Sequence, residues 1–394
     1  MIIMQKSYLF ISNGTKPSRE AAESMVSVKL NNFSRWPVES ALSRGFKVYM
    51  GTNRTYAEKL KSADGYDITF YNSCTYRSIF ALKDNWQAYK NLCALLKAHP
   101  EIEFIHCNTP IGGLMGRICG KRCGVKKVIY TAHGFHFFKG APLFNRTILK
   151  WMEQLMAHWT DAILTMNQED YEAAKKMHFR NNGKVYKVPG VGVDTKAFDG
   201  ATVDKNVVRS TLGIPDNAII AIAMGDIVPR KNYKSAIEAI AKAKRPNLHY
   251  IICGRGSQIE ELKAFASSLG VSQQIHFLGF RTDIKELALA SDMFLFASLQ
   301  EGLPRSTMEA MCAGLPCVIS EIRGHVDLIE QEQGGLLCPV HDVDAFTKAL
   351  QRMADDEDFR KQQGAIAKER VKAFDVEVVR QRINEIYDDI LKES

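Results

Sequence analysis

This chain has little that would tie it to a metal, a disulfide framework or a membrane span. Its nine cysteines are an odd number and lie scattered. Cys119 and Cys123 are four apart, but no histidine or second cysteine pair completes a metal-ligand spacing around them. Cys107, Cys253 and Cys317 sit in apolar runs, which suits reduced core thiols in a cytosolic protein. No apolar run reaches the ~18–20 residues of a spanning helix. The opening MIIMQKSYLFIS is apolar but short, carries Lys6 and is followed by no small-residue cleavage site. It reads as a first strand, not a signal peptide. There is no G-x-S-x-G elbow, HExxH, P-loop or paired CxxC, so these motifs point to no hydrolase and to no metal or other cofactor. Internal repeats and low-complexity tracts are also missing.

What is present is an ordinary soluble composition, 46% hydrophobic and 24% charged, over 394 residues. That length exceeds the roughly 250–300 residues of a single core, so two domains are expected. The charge is uneven: residues 1–190 hold 27 Lys+Arg against 14 Asp+Glu, a net +13, while residues 191–394 are net −5. A basic first half suits an anionic partner, either a membrane surface or a phosphorylated substrate, as well as a merely solvated lysine-rich face. Its basic residues are dispersed and not gathered in one stripe, which argues against nucleic acid.

Strand and helix patterns alternate in both halves. Strands are expected at Tyr8–Ser12, Lys47–Gly51, Asp67–Tyr71, Phe104–Cys107, Val128–Thr131, Ala162–Thr165 and Val185–Val188, with a helical stretch after Asn13-Gly14 reaching about Arg44. Amphipathic helices are expected at 82–98 and 144–159, where core packing is the first reading and membrane contact the second. The proline–glycine joint VPGVGVDTKAF, residues 188–198, reads as a domain boundary. Beyond it come strands at Ile219–Met224, Tyr250–Cys253, Ile275–Leu278, Met293–Ala297 and Pro316–Ile319, and a helix from Asp342 to about Ala354. A C-terminal helix or helix pair follows over about 366–392, with Val378 on its apolar face. Such alternation argues for two α/β domains with parallel sheets, and ligands outside the carboxyl ends of the strands.

Four segments carry candidate chemistry. In EGLPRSTMEAMCAG, Glu301 and Glu309 stand eight apart, and Pro304 suits the first turn of a helix from about Arg305 to Ala313. Ser306 and Thr307 follow, where free backbone N–H groups make an anion site. In GDIVPRKN, Arg230 and Lys231 sit at a helix start and suit a diphosphate or, equally, a plain solvated turn. Gly254-Arg255-Gly256 lacks the third glycine of a dinucleotide loop; close approach to a ligand and a tight turn are both open. His133-Gly134 and Asn13-Gly14 each follow a strand, where glycine allows a backbone amide to approach a ligand or simply makes a turn.

Together these residues resemble the retaining glycosyltransferases of family 4, which share the GT-B architecture of two Rossmann-like domains facing across a cleft. The E-x7-E of 301–309 carries the resemblance. TAHG at 131–134, PGVGVDTKAF at 189–198, GDIVPRKN at 225–232, HFLGFRTDI at 276–284 and Ser291-Asp292 support it in order. TAHGFHFFKGAP is similar to bacterial capsule and exopolysaccharide transferases. The resemblance implies domains at 1–188 for the acceptor and 189–370 for the nucleotide-sugar, with 371–394 packing back on the first. It implies Glu309 on the ribose hydroxyls and Glu301 near the sugar. The backbone of Gly302, Leu303, Pro304, Ser306 and Thr307 would meet sugar and diphosphate, and Lys231 with Arg230 the diphosphate. Gly254 would lie close to the donor and Phe280 and Arg281 near the base; from the N-terminal side His133 would contact the donor sugar, with Gly14 as the glycine of a flexible loop, and His133, Glu301 and Lys231 would be the catalytic residues. Asp226 departs from the family's usual arginine and shifts that weight to Arg230 and Lys231. The implied reaction moves a sugar, with retention and without a metal, from a nucleotide-diphosphate donor, a UDP-sugar, to a lipid-linked or glycan acceptor such as a polyprenyl-diphosphate-linked sugar or oligosaccharide. The enzyme would sit on the cytoplasmic face of an anionic membrane. An epimerase or phosphorylase of the same architecture, or a non-catalytic nucleotide-sugar binder, is the alternative.

Overall fold

The computed structural model describes residues 5–14, 26–54, 56–76, 78 and 80–392. Its strands are β1 (Ser7–Ile11), β2 (Ser27–Val28), β3 (Lys47–Thr52), β4 (Lys61–Ser62), β5 (Ile68–Asn72), β6 (Ile102–Asn108), β7 (Lys127–Ala132), β8 (Ala162–Thr165), β9 (Lys184–Lys187), β10 (Ile219–Met224), β11 (Leu248–Cys253), β12 (Ile275–Gly279), β13 (Met293–Phe296), β14 (Cys317–Ser320) and β15 (Gly335–Cys338). They separate into two compact units, Met1–Val191 with Glu377–Ser394, and Gly192–Val376.

Each unit is built on one parallel sheet. The first has the order β5-β3-β1-β6-β7-β8-β9 and the second β12-β11-β10-β13-β14-β15. Central strands are buried along their whole length, as in SYLFI of β1, LHYIIC of β11 and MFLF of β13. Parallel strands covered by helices on both faces read as continuous apolar runs for this reason. In both sheets the chain starts in the middle, builds outward to one edge, then returns to build the other. The reversal falls between β1 and β6 in the first unit and between β10 and β13 in the second, and in such sheets the crevice lies at that point.

Several expected elements move. Of the helical stretch expected up to Arg44, residues 15–25 lie outside the described residues; among the described ones Arg35–Ser43 is helix, and Ser27–Val28 ahead of it pairs in parallel with Lys61–Ser62. β15 was not expected: its GLLC is short and glycine-led, yet a Cβ at Gly335 would stand 1.9 Å from the Cys317 carbonyl oxygen. The 144–159 helix starts as a π-helical turn at Asn145–Leu149 and continues as Lys150–Ala157. Its core-packing reading is half right. Met156 and Ala157 are buried, but Trp151 is 60% exposed and Leu155 also faces out. In the same way the helix Leu82–Ala98 buries Leu92 and Leu96 and leaves Leu82 and Trp86 exposed. The C-terminal stretch is a helix pair, Glu357–Arg370 and Val376–Lys392, whose second member buries Val379 and leaves Val378 outside. All nine cysteines are free thiols, seven of them buried.

The last helix is pinned to the first sheet by a buried polar chain. The Tyr387 hydroxyl lies 2.8 Å from the Tyr8 hydroxyl and 2.7 Å from His106 Nδ1, and His106 Nε2 lies 2.7 Å from Thr131 Oγ1. Burial, helped by nearby His133, pushes the His106 imidazole down from 6.5 to about 3. The unfolded chain therefore binds a proton that the fold refuses, and His106 removes stability as pH falls through 6.5 toward 3. Melting temperatures taken from about pH 7 down to about pH 5 should drop less steeply in His106→Gln than in the wild type. Parallel slopes would show that another group governs the acid limb.

Candidate active site

Two loops meet at the reversal of the second sheet. Gly225–Asn232 leaves β10 and Ala297–Pro304 leaves β13. Pro229–Lys231 makes a single 3-10 turn, and Asn232 follows with φ 51° in the left-handed region, which asparagine tolerates better than most residues. The loops are stitched together: the Asn232 side-chain amide donates to the Ala297 carbonyl at 3.1 Å, and the Leu299 N–H donates to the Arg230 carbonyl at 2.8 Å.

This stitching brings Lys231 to Glu301. The ammonium donates to Glu301 Oε1 at 2.6 Å, and the two residues are only 7% and 8% exposed. Ser298 Oγ stands 2.7 Å from the same carboxylate oxygen, and the partly exposed Arg230 guanidinium is 3.7 Å from it. The Phe296 ring lies 4.6 Å from the ammonium, a cation–π contact. Burial pushes the Lys231 pKa down while Glu301 pulls it back up. Beyond them, Arg323 Nε donates to the Glu301 carbonyl at 3.0 Å, and buried His325 places Nδ1 2.8 Å from the Ser320 carbonyl. Asn232, Ser298, Arg323 and His325 were not singled out from the sequence. The available signal was position: each follows a buried strand at the carboxyl edge where Lys231 and Glu301 were expected.

The helix expected from Arg305 runs from Arg305 to Cys312, and Pro304 is its extended N-cap, one position before the expected first turn. Ser306 is half-buried beside it. Thr307 is not open to a ligand: it is fully buried, and its hydroxyl has no hydrogen-bond partner. Gly302 and Leu303 are half-buried. Glu309 ion-pairs with Arg305 at 3.0 Å; burial pushes its carboxyl pKa up, and Arg305 offsets this in part.

Gly254 and Gly256 have an internal reason to lack side chains. A Cβ at either would stand 1.9 Å from the chain itself, at the Gly225 and Ile227 carbonyl oxygens respectively. The Gly254 N–H also donates to the Gly279 carbonyl at 2.8 Å. These two turns pack backbone on backbone, so the tight-turn reading accounts for Gly254. Next to them Phe280 is 63% exposed, with the Arg255 guanidinium 4.8 Å from its ring, a flat open face suited to stacking. Arg281 is bound to Asp283, with Nε 2.8 Å from the carboxylate. Asp226 is exposed, and its charge acts to raise the Lys231 pKa.

The first-half candidates lie on the other unit. His133 Nε2 bonds to Asn108 Oδ1, Nδ1 lies 3.1 Å from Met166 Sδ, and burial lowers its pKa well below the ordinary imidazole range. It is thus a neutral imidazole held from both sides. Gly14 does not offer a free amide, since its N–H donates to the Thr75 carbonyl at 2.9 Å. Its missing side chain makes room for Asn53 Nδ2, which a Cβ would meet at 2.7 Å. Among the described residues no group of three or more His, Cys, Asp or Glu is arranged to hold a metal ion.

Residues 204–370 match the family described as glycosyl transferases group 1, and residues 26–167 the one described as glycosyl transferase 4-like. The chain is 33% identical over 274 residues to "Putative glycosyltransferase EpsD" of Bacillus subtilis, covering 68% of this chain and 71% of that protein. It is 29% identical over 320 residues to the UDP-Gal:alpha-D-GlcNAc-diphosphoundecaprenol alpha-1,3-galactosyltransferase of Escherichia coli, 80% of this chain and 82% of that one. Among solved structures, Anabaena Alr3699/HepE in complex with UDP and glucose superposes with a TM-score of 0.75 at 18% identity, over 98% of this chain and 100% of the other. At that identity the likeness speaks to the fold.

A buried ion pair that loses one partner leaves a charge without compensation, at about 3–5 kcal/mol. Glu301→Ala should therefore lower unfolding free energy by about that amount in urea titration, and Glu301→Gln by less. A loss below about 1 kcal/mol would mean that water screens the pair.

Proposed function

We propose a reaction for a chain that belongs to the group 1 glycosyltransferases: transfer of a sugar from a UDP-sugar to a polyprenyl-diphosphate-linked saccharide, with retention at the anomeric carbon. The observation that carries it is the convergence of cations, a helix start and two carboxylates at one sheet reversal. Lys231 and Arg230 would take the charge of the departing diphosphate, aided by the N-terminal end of the Arg305–Cys312 helix. Glu309 would accept from the ribose hydroxyls, and Glu301 from those of the sugar. Gly302, Leu303 and Ser306 would line the donor's path, and Phe280 would stack on the base. In this reading no metal ion takes part. The bond from the anomeric carbon to the phosphate oxygen breaks on the face where the acceptor hydroxyl oxygen bonds. The hydroxyl proton passes to the leaving phosphate.

The acceptor falls to the first half, whose net +13 suits a diphosphate and an anionic bilayer. Exposed Leu143, Phe144, Ile148 and Trp151 are interleaved there with Arg146 and Lys150, a pattern suited to the headgroup region. No described helix is long and apolar enough to cross a membrane. We place the enzyme on the cytoplasmic face, held at the surface, in the assembly of a cell-surface polysaccharide. The name of the Escherichia coli relative supports both donor and acceptor class.

A panel of UDP- and GDP-sugars, incubated with EDTA and a polyprenyl-diphosphate-linked sugar, should give nucleotide release only when one UDP-sugar and the acceptor are both present. The lipid-linked product should be heavier by one sugar. Release without acceptor would favour the epimerase. In the same assay Glu309→Ala should bind UDP at least about ten-fold more weakly, the loss of a charge-assisted hydrogen bond. Unchanged UDP affinity would remove the ribose role.

A further inference from the structure

The first unit holds an apolar cavity that the donor chemistry does not use. It has a volume of about 310 Å³, within the roughly 300–1,000 Å³ range of ligand pockets. It lies between the segment following β7 and the helical stretch 145–157. Its floor is made of buried Tyr130, Phe135, Phe137 and Met156; Phe80 and Met152 are nearer the surface, Phe80 being 82% exposed. Glu153 also lines it but brings no free charge, since Arg117 Nη1 donates to it at 2.7 Å. That guanidinium is fully buried and stacks 4.0 Å from the Tyr130 ring centroid. The ion pair and the stacked guanidinium thus hold Glu153 and Tyr130 of the lining in place. The helix Leu82–Ala98 that follows Phe80 in the chain, and the helix that carries Met152, expose Leu82, Trp86 and Trp151 together with Lys83, Lys90 and Lys150.

We propose that this cavity binds the first isoprenoid units of the acceptor lipid, next to its diphosphate. The inference rests on the lipid-linked acceptor class argued above. A lining that is mostly aromatic and aliphatic, with Ser78 and His136 as its other polar members, favours a hydrocarbon chain over a sugar, whose hydroxyls would find few hydrogen-bond partners there. Exposed Phe80 at the cavity, and the exposed aromatic, apolar and lysine side chains of these two helices, fit a bilayer surface bearing anionic headgroups, from which such a chain would enter with little exposure to water. The π-helical turn at Asn145–Leu149 sets the wall that carries Met152, and π-turns inside helices often mark functional sites.

The test fills the cavity with Met152→Trp and charges its wall with Leu149→Lys, with thermal melts to confirm folding. Farnesol, the hydrocarbon portion alone, should bind the wild type in calorimetry and bind both variants about ten-fold or more weakly. Equal binding to all three, or no binding to the wild type, overturns the proposal. In turnover, acceptors carrying the same sugar diphosphate on a long and on a short chain should differ in kcat/KM for the wild type. In the variants that ratio should fall toward one. A ratio unchanged in both variants also overturns it. Transfer to neither acceptor, with farnesol still bound at this site, would reject the acceptor class while leaving the hydrocarbon site standing.

Discussion

The buried pair between Lys231 and Glu301 is the constraint on which the site depends. Taking a lysine and a glutamate out of water is costly, and the cost is offset only when geometry and further hydrogen bonds are good. Here the ammonium reaches Glu301 Oε1 at 2.6 Å, and Ser298 donates to the same carboxylate. Achieving that demands two loops from two neighbouring strands, β10 and β13, held in fixed register. The left-handed Asn232, its bond to Ala297 and the Leu299-to-Arg230 backbone bond hold that register. Arg323 fixes the Glu301 backbone from the next strand over. The order of the second sheet then decides where the pair sits, at the one place where adjacent loops diverge.

The same pair has a chemical consequence. Lys231 is balanced between burial, which disfavours its charge, and Glu301, which favours it. A diphosphate arriving at the half-exposed Arg230 would add negative charge beside an ammonium that already has one anion. In the proposed reaction an ammonium held in place before the ligand comes would need little reorganisation as charge develops on the leaving oxygen. Glu309 is poised differently. It is ion-paired with the exposed Arg305, and burial raises its carboxyl pKa while Arg305 offsets this in part.

Much of this was legible in the chain. The alternating strand and helix patterns follow from local runs, and the two-domain division from length and the proline–glycine joint, and the structure keeps both. What was not legible is what depends on contacts distant in sequence. At Gly14 and Gly254 local sequence left approach to a ligand and a plain turn both open, and only the distant partners Asn53, Thr75 and Gly225 show what fills the space beside them. Thr307 reads as a donor at a helix start, yet it is turned inward. Trp86 and Trp151 have the spacing of a packed face, but that spacing does not say which side of a helix meets the sheet. Short β15 lacked a long enough apolar run to be seen.

The most direct test is to replace both charges with neutral side chains of similar size, Lys231→Met with Glu301→Gln. Such exchanges often leave a fold intact, because neither charge remains buried alone. The account predicts a double variant whose melting temperature stays near that of the wild type and whose sugar transfer falls by roughly a thousand-fold, the scale of losing electrostatic stabilisation at a leaving group. A double variant that folds and turns over at the wild-type rate would contradict it.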